Sequence, residues 1–188
     1  MPLILWSLAL SRIFAKMYYT GIGSREITPE ETHKIMVIAS KLSKKFVVYS
    51  GNAEGSDITF QLGSQGKCVI YLPWYSFNKE VYNTNNSIAH FDVGDTTIGN
   101  EYARKYHKGY SSLTRGGKRM MCRNTHQILG YKEYPRTSFV VYCASMIGGV
   151  PKGGTAQAVK IAWALGIPTF NIRTNEIEKL SNYLKGIT

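Results

Sequence analysis

Residues 17–188 predict an α/β fold, a Rossmann-like three-layer sandwich with a mostly parallel sheet. Three observations carry this. The runs KFVVYS (45–50), CVIYLP (68–73) and SFVVYCA (138–144) are too continuously apolar for strands with one wet face. Stretches of helical period alternate with them, and polar glycine turns stand where strand gives way to helix. Strands that are apolar on both faces belong to parallel sheets covered by helices on both sides, joined by right-handed crossovers.

The elements follow in order. MYYTGIG (17–23) reads as a strand ending in a Gly-x-Gly turn. Thr28-Pro29-Glu30-Glu31 then supplies an N-cap, a proline at the first helical position and a capping-box glutamate. The helix it opens runs to about Ser43, with Ile35, Ile38, Ala39 and Leu42 on one face and His33 on the surface. Strand 45–50 leads through the turn GNAEGSD (51–57) into a short helix past Phe60 and Leu62, and strand 68–73 closes the unit. Residues 74–95 have no clear period and read as a long irregular excursion, with His90 in loop. Helices are expected over 100–110 and 120–129, with His126 packing within the second; strand 138–144 follows. A helix from the Gly153-Gly154 turn, strand TFNI (169–172) and a terminal helix over 175–184 complete the chain.

Composition bounds the rest. The chain has 188 residues, 44% of them hydrophobic, enough for one core and one domain over 17–188, with residues 1–16 as an N-terminal extension. That extension reads as a peripheral helix or an extended start. Its apolar run Leu3–Leu10 lacks a basic leader and is too short to span a bilayer, a membrane anchor being the alternative. Three scattered cysteines, Cys68, Cys122 and Cys143, have no metal-ligand spacing and read as buried thiols in a reducing, cytoplasmic setting. No metal or cofactor is expected. A net charge of +11 favours a polyanionic partner.

In this architecture ligands bind outside the carboxyl ends of the strands. Three turns fall there: Gly21, Gly23, Ser24 and Arg25; Ser50, Gly51, Asn52, Glu54, Gly55, Ser56 and Asp57; and Lys152, Gly153, Gly154 and Thr155. Bare backbone, helix N-termini, two cations and several hydroxyls together suit a phosphate. The alternative is that these glycines only make tight turns. Neither the dinucleotide-binding nor the P-loop pattern is present, which disfavours NAD and ATP hydrolysis. Asp57 at a helix start reads as a cap or a ribose-hydroxyl acceptor before a general base.

Ser50–Asp57 resembles the serine-glycine-x-alanine-x-glycine-x-aspartate turn of the DprA/Smf proteins, in the SMF/DprA-LOG (SLOG) superfamily. Arg123-Asn124 ahead of Ile128-Leu129-Gly130 is similar to that family's arginine-asparagine element. Gly153-Gly154-Thr155-Ala156 through Ala162, with Gly166-Ile167-Pro168, resembles its closing glycine turn and helix. The likeness covers about residues 17–172 and is nearest to short DprA-like proteins of the kind phages encode, which would place the protein in a host cytoplasm. It implies a Rossmann domain that binds nucleotides or single-stranded DNA, dimerises and, in DprA itself, helps load recombinase. DprA's additional domains are not found in this sequence, which weakens the recombinase role. LOG relatives cleave the N-glycosidic bond of nucleotides with a glutamate that falls here at Ala158. Alanine can neither activate water nor steady oxocarbenium-like charge, so a non-enzymatic binder leads and a phosphoribohydrolase using Glu54 or Asp57 is the alternative.

Three further features remain. Arg123 could reach a phosphate or tie its helix to the sheet, and Asn124 could bond a ribose, a base or the main chain. Trp74, Tyr75 and Phe77 follow strand 68–73 and offer base stacking, or a core plug. The basic run Arg115–Arg123, with His107 and Lys108, suits a nucleic-acid backbone, a lid over a small ligand or a solvated helix face.

Overall fold

The computed structural model describes residues 17–78 and 86–187; the extension 1–16 and part of the excursion, 79–85, lie outside the described residues. Six parallel strands form the main sheet in the order β4-β3-β2-β1-β5-β8. They are β1 (Met17–Gly23), β2 (Phe46–Ser50), β3 (Cys68–Leu72), β4 (Ala89–Asp92), β5 (Phe139–Cys143) and β8 (Thr169–Asn171). A separate antiparallel hairpin, β6 (Met146–Ile147) and β7 (Val150–Pro151), projects between β5 and the next helix.

The strand order decides where each helix lies. The chain steps outward from β1 to β4 and then returns past β1 to β5, so the direction of winding reverses. With right-handed crossovers, reversal moves the connecting helices to the opposite face. Accordingly α1 (Pro29–Leu42), α2 (Ser56–Gly63) and the terminal α6 (Ile177–Ile187) pack on one face around Tyr19, Phe60, Phe139 and Phe170. On the other face lie α4 (Arg115–Leu129) and α5 (Thr155–Ala164), over Val140, Tyr142, Val159 and Ile161. Helix α3 (Thr97–Tyr106) packs outside α4 through Ala103, Tyr110 and Met121. Beyond α4, the sheet face under β2 and β3 is sealed by tyrosines. Tyr18 stacks on Tyr49 at 4.9 Å, and the turn carrying Tyr131 and Tyr134 closes over Phe91.

The α1 signals hold in detail. Thr28 Oγ1 accepts from Glu31 N at 3.1 Å and Thr28 N donates to Glu31 Oε2 at 2.9 Å, a complete capping box. Four boundaries depart from expectation. Helix α3 spans 97–106 rather than 100–110, and Tyr110 lies in a short 3₁₀ turn. Helix α4 begins at Arg115, five residues before the expected start, because Thr114 caps it and Gly116-Gly117 hide its period. Helix α6 is shifted to 177–187. The excursion is not irregular throughout: Ala89–Asp92 forms the edge strand β4, with His90 on it and exposed. Four residues with alternating burial inside a polar stretch leave little apolar signal to read.

Arg173, just past β8, clips three segments together. Its Nε and Nη2 bind Glu31 Oε1 and Oε2 at 2.5 and 2.8 Å, Nη1 donates to Ser145 Oγ at 2.9 Å and Nη2 to Glu26 O at 3.0 Å. The bond from Arg173 holds the Glu31 carboxyl down at about 2, below its ordinary 4.5. A depressed carboxylate contributes stability that is complete above the unfolded value and is lost as pH falls through the folded one. Glu31→Gln, which keeps the capping box, is therefore expected to lower unfolding free energy at pH 7 by roughly 2–3 kcal/mol. It should also flatten the loss of stability between about pH 4.5 and 2, as measured by urea unfolding across that range.

Candidate nucleotide-binding cleft

The reversal of winding falls between β1 and β5, and a cleft of about 600 Å³ opens there beyond their carboxyl ends. That is the position the crossover rule assigns to ligands in open α/β sheets, and the volume is in the usual range for a small-molecule site. One wall is the β1 turn, Gly23, Ser24 and Arg25. The facing wall is the β7–α5 turn, Lys152, Gly153, Gly154 and Thr155. Two of the three predicted turns thus converge. Gly153 has φ +73°, a backbone that favours glycine, and a Cβ built on it would meet nothing within 4 Å, so its main chain borders open space. Arg25 and Lys152 have no ion-pair partner among the described residues.

The middle turn does different work. Only Ala53 and Asp57 of it line the cleft. Ser50 Oγ donates to Asp57 O at 3.0 Å, and Asn52 Nδ2 donates to Phe77 O at 3.0 Å. Ser56 donates from both N and Oγ to Ser24 O, at 3.0 and 2.9 Å. Gly55 is pressed against the same β1 turn, where a Cβ would stand 2.2 Å from Arg25 O. Ser50, Asn52 and Ser56, proposed as ligand donors, do not line the cleft: Ser56 buttresses the Ser24 carbonyl, while Ser50 and Asn52 Nδ2 bond the Asp57 and Phe77 carbonyls. Gly21, also proposed for the anion, faces the core, with Phe60 Cγ only 2.5 Å from where its Cβ would be.

Gly51 receives a side chain rather than a phosphate. A Cβ there would lie 1.1 Å from Arg123 Nη1, because the guanidinium passes over this residue to reach Asp57 Oδ2 at 3.2 Å. Arg123 is 2% and Asp57 4% exposed. Burial pushes the Asp57 carboxyl above its ordinary range and Arg123 below its own, and each is opposed by the charge of the other. Gln127 Nε2 adds a weak bond to Asp57 Oδ2 at 3.5 Å. Arg123 therefore ties α4 to the first turn of α2, and Asp57 is its counter-ion rather than a free cap or base. Asn124 Nδ2 donates to Gly154 O at 3.2 Å, so it positions the β7–α5 turn.

Of the aromatic residues, Phe77 is 8% exposed, with Trp74 packed edge-on against it at 5.1 Å and the Arg123 guanidinium 5.7 Å from its ring centre. It is a core plug and presents no face to a base. Trp74 is half-buried under Arg119, and Tyr75 is 68% exposed; neither lines the cleft. Glu54 is exposed and does not line it either. Ala158 does, 1% exposed, and the carboxylates that share the cleft with it are Glu26 and the paired Asp57. His126 is buried in α4, Nδ1 donating to Gly130 O at 2.9 Å, which leaves Nε2 to accept from Thr96 Oγ1 at 2.5 Å; burial lowers its pKa. It packs, as expected.

Residues missed from the sequence are Ser145, Arg173 and the α4 stripe Gly117, Met120, Met121 and Gln127. The stripe's spacing marks one helix face, but nothing local says that this face meets a ligand site. The strand-end rule, applied to β5 and β8, would have found Ser145 and Arg173.

No family model and no curated protein matches the chain. Solved structures similar to it include two of DNA processing protein A. DNA processing protein A from Helicobacter pylori, described for its single-stranded DNA binding mode, has a TM-score of 0.50 and 16% identity over 82% of this chain and 64% of that one. DNA processing protein A from Streptococcus pneumoniae has a TM-score of 0.49 and 12% identity over 83% of this chain and 50% of its own. The likeness to the Helicobacter protein gives the chain a DprA-like Rossmann fold. The chain spans about half to two thirds of the length of the two proteins. Among the described residues no helix is long and apolar enough to cross a membrane, and no cluster of His, Cys, Asp or Glu could hold a metal.

Breaking one side of a buried ion pair strands the other charge at a cost of about 3–5 kcal/mol, whereas apolar replacement of both is far milder. Chemical denaturation is expected to show Arg123→Met and Gly51→Ala each losing about that much. The double variant Asp57→Leu/Arg123→Met should be clearly more stable than Arg123→Met alone.

Proposed function

We infer that the cleft binds the sugar-phosphate backbone of single-stranded DNA without chemically altering it, a small nucleotide-derived anion being the competing occupant. One observation carries this: the bare backbone of Gly153 and the unpaired cations Arg25 and Lys152 line one cleft at the point where winding reverses. The positive φ of Gly153 accounts for glycine at that residue, and the open space beside it leaves its main chain accessible. An accessible main chain of this kind suits an anion. The DprA-like fold supports single-stranded DNA as the source of that anion, since the Helicobacter protein is described as binding it.

A phosphoribohydrolase needs a carboxylate at the ribose. Ala158 occupies the position that the LOG resemblance singles out, Glu54 lies outside the cleft, Asp57 is held by Arg123, and the one other cleft carboxylate, Glu26, is solvent-exposed. Binding is therefore the better reading. A homodimer and a recombinase partner are what the DprA resemblance implies, and a cytoplasmic setting goes with them.

Fluorescence anisotropy with labelled dT20 at low salt tests the reading. Saturable binding is expected, with Lys152→Ala and Arg25→Ala each weakening it about three- to tenfold, the net contribution of one solvent-exposed hydrogen bond. Absence of binding by the unaltered protein would overturn it, and release of free base from nucleoside monophosphates would transfer the cleft to the enzymatic reading.

A further inference from the structure

We propose that the α3–α4 helical hairpin is a second contact surface, which carries the backbone of a single-stranded nucleic acid away from the cleft. This rests on the reading of the cleft given above and extends it beyond the cleft's own walls.

The hairpin concentrates cations that the fold does not use. Arg104, Lys105, Lys108, Arg115 and Lys118 lie between residues 104 and 118, and none has an acidic partner among the described residues. The buried or half-buried arginines are paired, Arg123 with Asp57, Arg173 with Glu31 and Arg119 with Asp92, whereas these five cations are not. The single acid over residues 97–119 is Glu101. Like charges are also drawn together here. Arg104 and Lys118, from different helices, both lie 5.6 Å from the ring centre of Tyr110. One aromatic ring thus brings a cation from each helix to within about 6 Å of its centre, and a polyanion lying across the pair would offset their like charge.

The first turn of α4 repeats the theme. It begins Arg115-Gly116-Gly117-Lys118-Arg119 and has no acid. Cations at a helix N-terminus oppose the macrodipole, and two glycines weaken the turn, so local helix stability does not account for this sequence. A negatively charged backbone passing over the turn does. Gly117 is the junction, because it lines the cleft while its neighbours Arg115 and Lys118 belong to the hairpin's cationic surface. A strand leaving the cleft past Gly117 would meet Lys118 and Arg115 first, then Arg104, Lys105 and Lys108. With its ring taken up by two cations, Tyr110 supports backbone contact rather than base stacking.

The test compares a short and a long probe. Oligothymidylates dT3 and dT20 are titrated over a range of salt with the unaltered chain and with Arg104, Lys105, Lys108, Arg115 and Lys118 all changed to Gln, after circular dichroism confirms that the variant is folded. Each phosphate contact on a single strand contributes about −0.7 to the slope of log affinity against log salt. The variant is expected to lose at least tenfold in dT20 affinity at moderate salt and to have a slope shallower by about 2–3.5, with dT3 binding changed less than twofold. Lys108→Glu/Arg115→Glu, two exposed positions that touch nothing in the core, should give the same pattern in smaller measure and covers failure of the larger variant to fold. The proposal is overturned if the unaltered chain binds dT3 and dT20 with equal slopes, if the variants leave dT20 binding unchanged, or if a 20-base-pair duplex binds as tightly as dT20. If the unaltered chain binds neither oligonucleotide, both the hairpin and the cleft readings fall. If dT3 binding survives and only the length dependence is absent, the hairpin alone fails.

Discussion

The ion pair between Arg123 and Asp57 sets the geometry on which the cleft depends. Helix α4 belongs to the connection that returns from edge strand β4, past β1, to β5, and on the way it packs across β3 and β2. What fixes it over the strand ends is a guanidinium threaded past Gly51 into the first turn of α2. Helix α4 then presents Met120, Met121 and Asn124 as the roof of the cleft, and Asn124 in turn holds the Gly154 carbonyl. A buried pair is a poor source of net stability, but removal of one partner is severe. Its effect here is positional: only one placement of α4 leaves neither charge stranded.

Much of this was legible in the sequence, and what was not has identifiable causes. Continuous apolar strands and one fully formed capping box announce the layered fold and the start of α1. Strand β4 escapes because AHFD is half-exposed and lies at an edge, where a strand needs no apolar run. The starts of α3 and α4 escape because threonine caps precede glycine-bearing first turns of weak period. At the cleft, sequence shows where glycine stands but not what approaches it. Gly51, Gly55 and Gly153 look alike in the chain, yet one accommodates an arginine, one a neighbouring backbone, and one open space. Only three-dimensional proximity separates these cases. The switch-point rule pointed to the cleft because it depends on chain order, which a sequence contains, and it said nothing about which turn was scaffold.

The division of cations follows from their chemistry. Arg123 and Arg173 are the cleft's structural charges, and both have carboxylate partners that a planar fork can grip from a fixed direction; Arg173 engages Glu31 through two nitrogens. Such groups are already neutralised and have little to offer a ligand. Arg25 and Lys152 stand on exposed turns without partners. A lysine on a flexible stem tolerates the varied positions of phosphates along a strand, while the adjacent main-chain amides at Gly153 and Gly154 supply the directional part.

That division limits what the cleft can do alone. Two solvated cations and a pair of turns give a weak, salt-sensitive hold on one or two phosphates, since each exposed charge contact is small and screened. The excess charge of the chain, +11, is much larger than the cleft can use. The hairpin gathers five unmatched cations against one acid, Glu101, and the repulsion among them is what a polyanion there would compensate. A polyanion long enough to touch both the cleft and the hairpin provides that compensation. It also turns two weak sites into one stronger one, because the second contact is then made within a complex already formed.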